Sequence, residues 1–428
     1  MYRLIEPGYY QKIEERFRKR NLNKIPSFSA FSDYVRWDFC CGLRIYIRDN
    51  QKEKYIVEIA DFSKNIKLYK IEMTGGDYFV SPARYFQSYS FRITNSAGDV
   101  FEHTYNAKDQ KVFIDIPFDA MGDAIAWFTA AVQFQKKHNC KLYVRIPEFV
   151  KCLFEPVYPD ITFLNNSEKQ SIENLYANYQ ICIYPEGDSE IIDYPVDYRA
   201  VSLHEYGALI LGLDKDDVST PPDIAYSEEC VIQDFYCDYV CISSHASALC
   251  KHWLNPSGWD EVVDFLHKSG YIVLDIDKED IVTYGFVTTR IPRDADDLTG
   301  DMPLTARAAQ IKGADFFIGL GSGLSWLAWC CKKPVVLISG FSEPHSEFDT
   351  PYRVQNSDVC HGCYNDMRIK CVIETWDWCP KKCGTEKHFE CSRKITAKMV
   401  IDTIKTMPEY IKHLKKFQRE KELENELF

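Results

Sequence analysis

The sequence predicts an α/β protein with two Rossmann-like lobes and a cleft between them. An antiparallel, barrel-like β domain precedes the lobes and a cysteine-rich segment follows them. Three observations carry this reading. Period-two hydrophobic alternation, broken by turn residues, runs from Tyr34 to Ile116. From Ile114 the pattern changes to strands alternating with amphipathic helices, and it restarts at Asp238. Six cysteines then fall within 32 residues, from Cys360 to Cys391.

The elements follow in order. A short helical start is expected in "MYRLIEPGYYQKIEERFRKR". Strands are expected at "LRIYIRD", "KYIVEIAD", "SYSFRITN", "DVFEHTYN" and "KVFIDIP", with turns at "DNQKEK", "TGGD" and "NSAGD". "VFIDIPFDAMGDAIAWFTAAVQFQKKHN" reads as strand, loop and helix, followed by strands at "KLYVRIP" and "QICIYP". In the second half, "YVCISSHA", "YIVLDID", "DFFIGLG" and "KPVVLIS" are strands. The helices between them are "PSGWDEVVDFLHKSG", "LTARAAQIKGA" and "SGLSWLAWCCK". Asn255-Pro256 is expected to start the first of these helices and Gly270 to end it. The tail "MPEYIKHLKKFQREKELENELF" is expected as a charged, solvated helix. The resulting boundaries are 1–110, 111–236, 237–342, 343–395 and 396–428.

Composition limits the function classes. The chain has 428 residues, enough for two or three cores. A net charge of -12 without a long basic run disfavours a nucleic-acid groove. No apolar run approaches a membrane span and no signal peptide is read at the start, so a reducing cytoplasm is expected. Of the 17 cysteines, nine precede Gly258 in apolar runs, and Cys330 and Cys331 lie in another such run; these read as core.

Ligands of doubly wound sheets bind beyond the carboxyl ends of the strands, and three segments fall there. In "FDAMGDAIAW", Asp123 follows Gly122 at a helix start, as a cap or as a general base. In "SSHASALCKHWLNPSGW", Lys251 lies among Ser244, His245, Ser247 and His252, close to a helix N-terminus that attracts anions. In "GLGSGLSWLAW", alternating glycines open a helix whose amides can approach a phosphate. The spacing departs from GxGxxG, so a nicotinamide fingerprint is not supported. Among the six clustered cysteines, Cys360 and Cys363 form a CxxC knuckle, a half-site for one ion. Cys379 and Cys383 of "CPKKC" can serve as a second knuckle, and spacing alone favours zinc.

Together, "MGDAIAW", "FIGLGSGLSWLAWCCKKPVVLISG", "SHASALCKHWLNPSGWDEVVDFL" and "CHGC" with the later cysteines resemble the bacterial autotransporter heptosyltransferases. These are relatives of the lipopolysaccharide heptosyltransferases. The resemblance runs well from Phe113 to Ile395 and more loosely before it. It implies a GT-B fold with an N-terminal β domain, an acceptor-side lobe over 111–236 and a donor-side lobe over 237–342. It implies inverting transfer of heptose from ADP-heptose to serine hydroxyls on passenger domains of autotransporter adhesins. Asp123 is then the catalytic base, Lys251 contacts the donor diphosphate, and Gly321, Ser322, Gly323, Leu324 and Ser325 belong to the donor site. The family pattern makes Cys360, Cys363, Cys379 and Cys391 ligands of one structural iron (Fe3+) per chain in a finger over 343–395, leaving Cys371 and Cys383 as extras. It also implies a bacterial cytoplasmic enzyme in a large homo-oligomer, such as a dodecamer. The rival readings are a GT-B transferase for another nucleotide sugar and a non-catalytic metal-clip interaction protein.

Overall fold

The computed structural model describes residues 34–48, 51–165, 172, 174–183, 194–232, 238–373 and 375–427. The expected helical start falls outside the described residues. Eight strands come first: β1 (Val35–Cys40), β2 (Arg44–Ile47), β3 (Tyr55–Asp61), β4 (Ile66–Met73), β5 (Tyr78–Val80), β6 (Tyr89–Thr94), β7 (Val100–Thr104) and β8 (Lys111–Asp115). Alternation decides which faces are buried. Tyr55, Val57 and Ile59 of β3 and Tyr89, Phe91 and Ile93 of β6 point inward, and their neighbours stay partly or fully exposed.

The expected barrel is not formed among the described residues. β3, β4, β6 and β7 make an open antiparallel sheet in the order β4-β3-β6-β7. β1, β2 and β5 leave it and extend the sheet of the first lobe. Trp37 of β1 meets Phe91 of β6 edge to face at 5.4 Å and ties the two sheets together. The physical reason is a parallel pairing of β1 with β11 (Ala177–Gln180), which places Phe39 opposite Ala177. No local alternation encodes so distant a partner.

The first lobe continues with α1 (Met121–His138), β9 (Lys141–Arg145), α2 (Glu148–Phe154), β10 (Ile161–Phe163), β11 and α3 (Leu203–Ile210). Its mixed sheet has the order β10-β9-β8-β11-β1-β2-β5. The strand expected at "QICIYP" lies earlier, ending at Gln180, and α3 was not anticipated. The strand order reverses between β8 and β11, so the loop from β8 into α1 opens at a switch point.

The second lobe contains β12 (Tyr239–Ile242), α4 (Gly258–Lys268), β13 (Ile272–Asp275), the hairpin β14 (Ile281–Tyr284) and β15 (Val287–Arg290), and β16 (Asp296–Asp297). It continues with α5 (Leu304–Gly313), β17 (Phe317–Leu320), α6 (Gly323–Cys330), β18 (Val335–Ile338) and β19 (Arg353–Val354). Its parallel sheet runs β16-β13-β12-β17-β18-β19. β12, β17 and β18 are buried at every position, as expected of strands covered on both faces. Here the order reverses between β12 and β17. The Lys251 loop follows β12 and the Gly321–Ser325 turn follows β17, so both open at this second switch point.

Two local expectations are corrected. Helix α4 begins at Gly258 with Ser257 before it, so Asn255 does not cap it. The Asn255 amide instead donates to the carbonyls of Arg393 and Ile395 at 3.1 Å, tying this loop to the chain beyond the cysteines. Gly270 does end the helix, with a left-handed φ of +89°. After α7 (Glu390–Arg393) and α8 (Ala397–Ile404), the tail helix α9 (Pro408–Leu427) is only partly solvated. Tyr410 and His413 are buried. The His413 ring stacks on Tyr271 at 3.6 Å and binds Asp238 at 2.8 Å and the Ser269 carbonyl at 2.9 Å. Among the described residues no helix is long and apolar enough to cross a membrane.

Candidate active site

The two switch points face each other because α1 and α6 touch at their N-termini. Gly122 lies against Trp326, and Gly323 against Met121, whose Cε would stand 2.5 Å from a Cβ at position 323. Neither approach leaves room for a side chain. This contact brings Asp123, in the first turn of α1, beside the turn that opens α6.

Asp123 does not serve as the helix cap: Ala120 holds that position. Burial raises its pKa from 3.8 to about 6, against the opposing pull of Lys251 and of its own backbone N–H. Such a group is ionised near neutral pH and poised to accept a proton. Lys251, at the end of a short turn, donates to the Ser247 hydroxyl at 3.3 Å. Its charge acts on Asp123 across the junction of the lobes.

The turn after β17 is built from within. Ser325 Oγ donates to the Leu320 carbonyl at 2.6 Å, and Ser322 N–H donates to the same carbonyl at 2.7 Å. A Cβ on Gly321 would stand 2.7 Å from Glu347 Oε1, so glycine admits this carboxylate beneath the turn. Glu347 is itself held by Arg353 at 2.6 Å and by the Ser342 hydroxyl at 3.0 Å. Ser322 Oγ is buried without a partner among the described residues. Ser322, Gly323 and Leu324 line a cavity of about 780 Å³ between the lobes, with Met121 and Phe149 opposite. An inter-lobe cavity with polar strand ends at its floor can take a nucleotide-sized ligand.

The sequence reading missed the floor of that cavity. Asp275 ends β13 and Asp277 follows it; both are buried, and Asp277 lines the cavity. Ser243 donates to Asp277 at 2.6 Å, Ser244 to Asp275 at 2.7 Å, and the His245 N–H to Asp277 at 2.8 Å. Burial, reinforced by the neighbouring Asp277, pushes the Asp275 carboxyl well above the usual carboxylate range. The "DID" ending of the strand was the available signal. Arg307 closes the floor from α5, donating to the carbonyls of Leu298, Asp277 and Gly300.

No disulfide joins the described cysteines. Cys363 and Cys379 are buried in a small core with Phe341, Trp378 and Phe389, and Cys360 packs against it. Burial first, then neighbouring thiols, pushes Cys363 and Cys391 up to about 12; Cys360 and Cys379 act on both. Phe389 N–H donates to Cys379 Sγ at 3.4 Å. The four thiols are therefore near one another, although among the described residues no three of their sulfurs lie within 4.8 Å of one another. Cys383 is exposed, with Cys379 beside it; the charge of Cys371 acts instead on Tyr198 and Cys250. Asp238, Asp315 and His413 do fall within that distance. Their polar atoms are already used by Lys416, Tyr271 and the Ser269 carbonyl, so this group reads as the anchor of α9.

The chain is 38% identical over 390 residues to the autotransporter heptosyltransferase Aah of Escherichia coli, covering 91% of this chain and 96% of that protein. The chain belongs to the autotransporter heptosyltransferase family. The family model of glycosyltransferase family 9 (heptosyltransferase) matches residues 199–377, and the protein is a glycosyltransferase of the heptosyltransferase type. Its fold is similar to the crystal structure of TibC from enterotoxigenic E. coli in complex with ADP-D-β-D-heptose. That protein is described as a dodecameric iron-containing heptosyltransferase; the TM-score is 0.78 at 33% identity, over 89% of this chain and 96% of that one. The family also holds a member named inactive, BimC of Burkholderia thailandensis, 33% identical over 90% of this chain and 88% of that protein.

Proposed function

We propose that this heptosyltransferase is a GT-B enzyme that transfers heptose from ADP-heptose to serine hydroxyls of an autotransporter passenger domain, with inversion. The observation that carries the reading is the placement of Asp123 in the first turn of α1, against the turn that opens α6 at the edge of a nucleotide-sized cavity, where the charge of Lys251 from the other lobe acts on it. TibC, seen with ADP-heptose at a TM-score of 0.78, supports the donor.

A serine hydroxyl is a weak nucleophile at neutral pH. Asp123, with its pKa near 6, removes the proton as the oxygen attacks the anomeric carbon; such general-base catalysis contributes about 10²–10⁴-fold. The glycosidic bond to the diphosphate breaks and negative charge gathers on the leaving ADP. Lys251 and the amides from Gly321 to Ser325 at the start of α6 receive that charge.

The donor set suits a soft cation: Cys360, Cys363 and Cys379 gather at one small core, and all three act on Cys391. Cys360, Cys363, Cys379 and Cys391 would hold it. Iron is the ion of the TibC precedent and zinc the ion that spacing favours. Bound, it would supply cross-linking of the segment rather than chemistry, because four thiolates leave no open position. A cytoplasmic homo-oligomer completes the reading.

The test is release of ADP from ADP-heptose with and without an autotransporter passenger domain. Wild-type protein is expected to release ADP only with the acceptor, leaving heptose on serine, and Asp123→Ala to release none. A wild-type protein that modifies nothing belongs with the inactive member of the family. Turnover of Asp123→Ala at the wild-type rate removes the base from the scheme.

A further inference from the structure

The cysteine-rich segment does more than lie behind the second lobe: it crosses to the first. Asn365 Nδ2 donates to the Arg199 carbonyl at 2.6 Å, and Asn365 Oδ1 accepts from Glu343 N–H at 2.8 Å and from Ser346 Oγ at 2.9 Å. Arg199, itself buried, returns a bond from Nη1 to the Ile369 carbonyl at 2.7 Å. One short stretch of chain is thus fixed to both sides of the cleft.

Tyr364 lies at the middle of this crossing, next to Cys363. Its backbone N–H is held by the Phe341 carbonyl at 2.9 Å. Its ring meets Phe341 of the second lobe edge to face at 5.7 Å and Tyr198 of the first at 6.2 Å. The ring is therefore wedged between the lobes. The Tyr364 hydroxyl has no hydrogen-bond partner among the described residues, yet it is not sealed from solvent. Of the charges around it, that of Asp123 acts on it most strongly. A half-buried ring held by both lobes, with a phenol unpaired among the described residues and within electrostatic reach of the expected base, is an unusual arrangement, because a tyrosine packed in this way ordinarily finds a partner for its O–H.

We propose that Tyr364 is a substrate-contacting residue: the cysteine-rich segment carries its hydroxyl into the cleft, where it donates a hydrogen bond to a hydroxyl of the transferred sugar. A phenol is protonated at neutral pH and can donate. The sugar is the part of the donor that must lie beside Asp123 at the moment of transfer, and it is the part that ADP lacks. The cysteines then have a second consequence, since whatever orders residues 360–391 also fixes the position of a sugar-binding group.

This inference rests on the donor reading above, and the experiment separates the two. Tyr364→Phe keeps the ring and its packing and removes only the O–H. Affinities for ADP and for ADP-heptose are measured by calorimetry for wild type and variant, with transfer rates and melting temperatures alongside. The expected result is a roughly tenfold weaker affinity for ADP-heptose and a fall in kcat/KM of at least that size, matching one lost hydrogen bond. ADP affinity and melting temperature are expected to stay at the wild-type level. Wild-type ADP-heptose affinity in the variant overturns the proposal, as does a loss that is equal for ADP and ADP-heptose. A wild-type protein that binds ADP-heptose no better than ADP also overturns it. Failure of the wild type to transfer heptose at all counts against the proposed function instead, and the two affinities still decide the role of Tyr364.

Discussion

A Cβ on Gly122 would stand 2.9 Å from Cδ1 of Trp326, closer than any ordinary carbon–carbon contact. The first turn of α1 and the first turn of α6 therefore meet backbone against indole, and this contact sets the distance between the two halves of the site. A glycine before the acid is required here by the approach of the opposite lobe.

Gly122→Ala is expected to push the helices apart by a few tenths of an ångström. Overpacking of this kind costs about 1–3 kcal/mol, and misplacement of reacting groups by up to 1 Å can cost about 10²-fold in rate. The expected outcome is a large loss of transfer with a small fall in melting temperature. Trp326→Leu placed in the same chain should restore part of the rate by returning space. A double variant no better than Gly122→Ala alone would show that the indole is not the obstacle.

The pH profile should carry the signature of Asp123. With its pKa raised to about 6, kcat/KM is expected to fall about tenfold per pH unit below that point. Lys251 pulls the pKa down, so Lys251→Met should move the acid limb to higher pH as well as weaken donor binding. The same shift has a stability side. A carboxyl whose folded pKa lies above its unfolded 3.8 binds more protons folded than unfolded, so it costs stability as pH rises from about 4 to 6. Asp123→Asn should therefore be inactive and more stable than wild type at pH 7, on the order of 1–3 kcal/mol. That advantage should vanish below pH 4. Melting curves at both pH values check the sign.

The cysteine assignment is decided by elemental analysis of six single serine variants. Metal is expected to be lost from Cys360→Ser, Cys363→Ser, Cys379→Ser and Cys391→Ser and retained in Cys371→Ser and Cys383→Ser. Iron on four thiolates should colour the protein, whereas zinc leaves it colourless. Loss in Cys383→Ser with retention in Cys391→Ser would replace the ligand set by the CPKKC knuckle. A metal-free wild type would end the metal reading altogether.

The sequence by itself determined the elements whose signals are local. Alternation gave β3, β6 and β8, apolar runs gave β12, β17 and β18, and Gly270 ended its helix where a left-handed residue was needed. Chain order also placed Asp123, Lys251 and the Gly321–Ser325 turn after strands, where ligands of such sheets bind. Tertiary structure decided what depends on distant partners. The pairing of Phe39 with Ala177 drew β1 away from an expected barrel into the lobe sheet. Asp277 lines the cavity floor only because Ser243 and Ser244 of another strand end meet it and its buried neighbour Asp275. Tyr364 followed a CxxC in the sequence without any mark of its own. Its place between the lobes comes from Asn365 and Arg199 closing across 166 residues of chain, a contact that no window of local pattern can register.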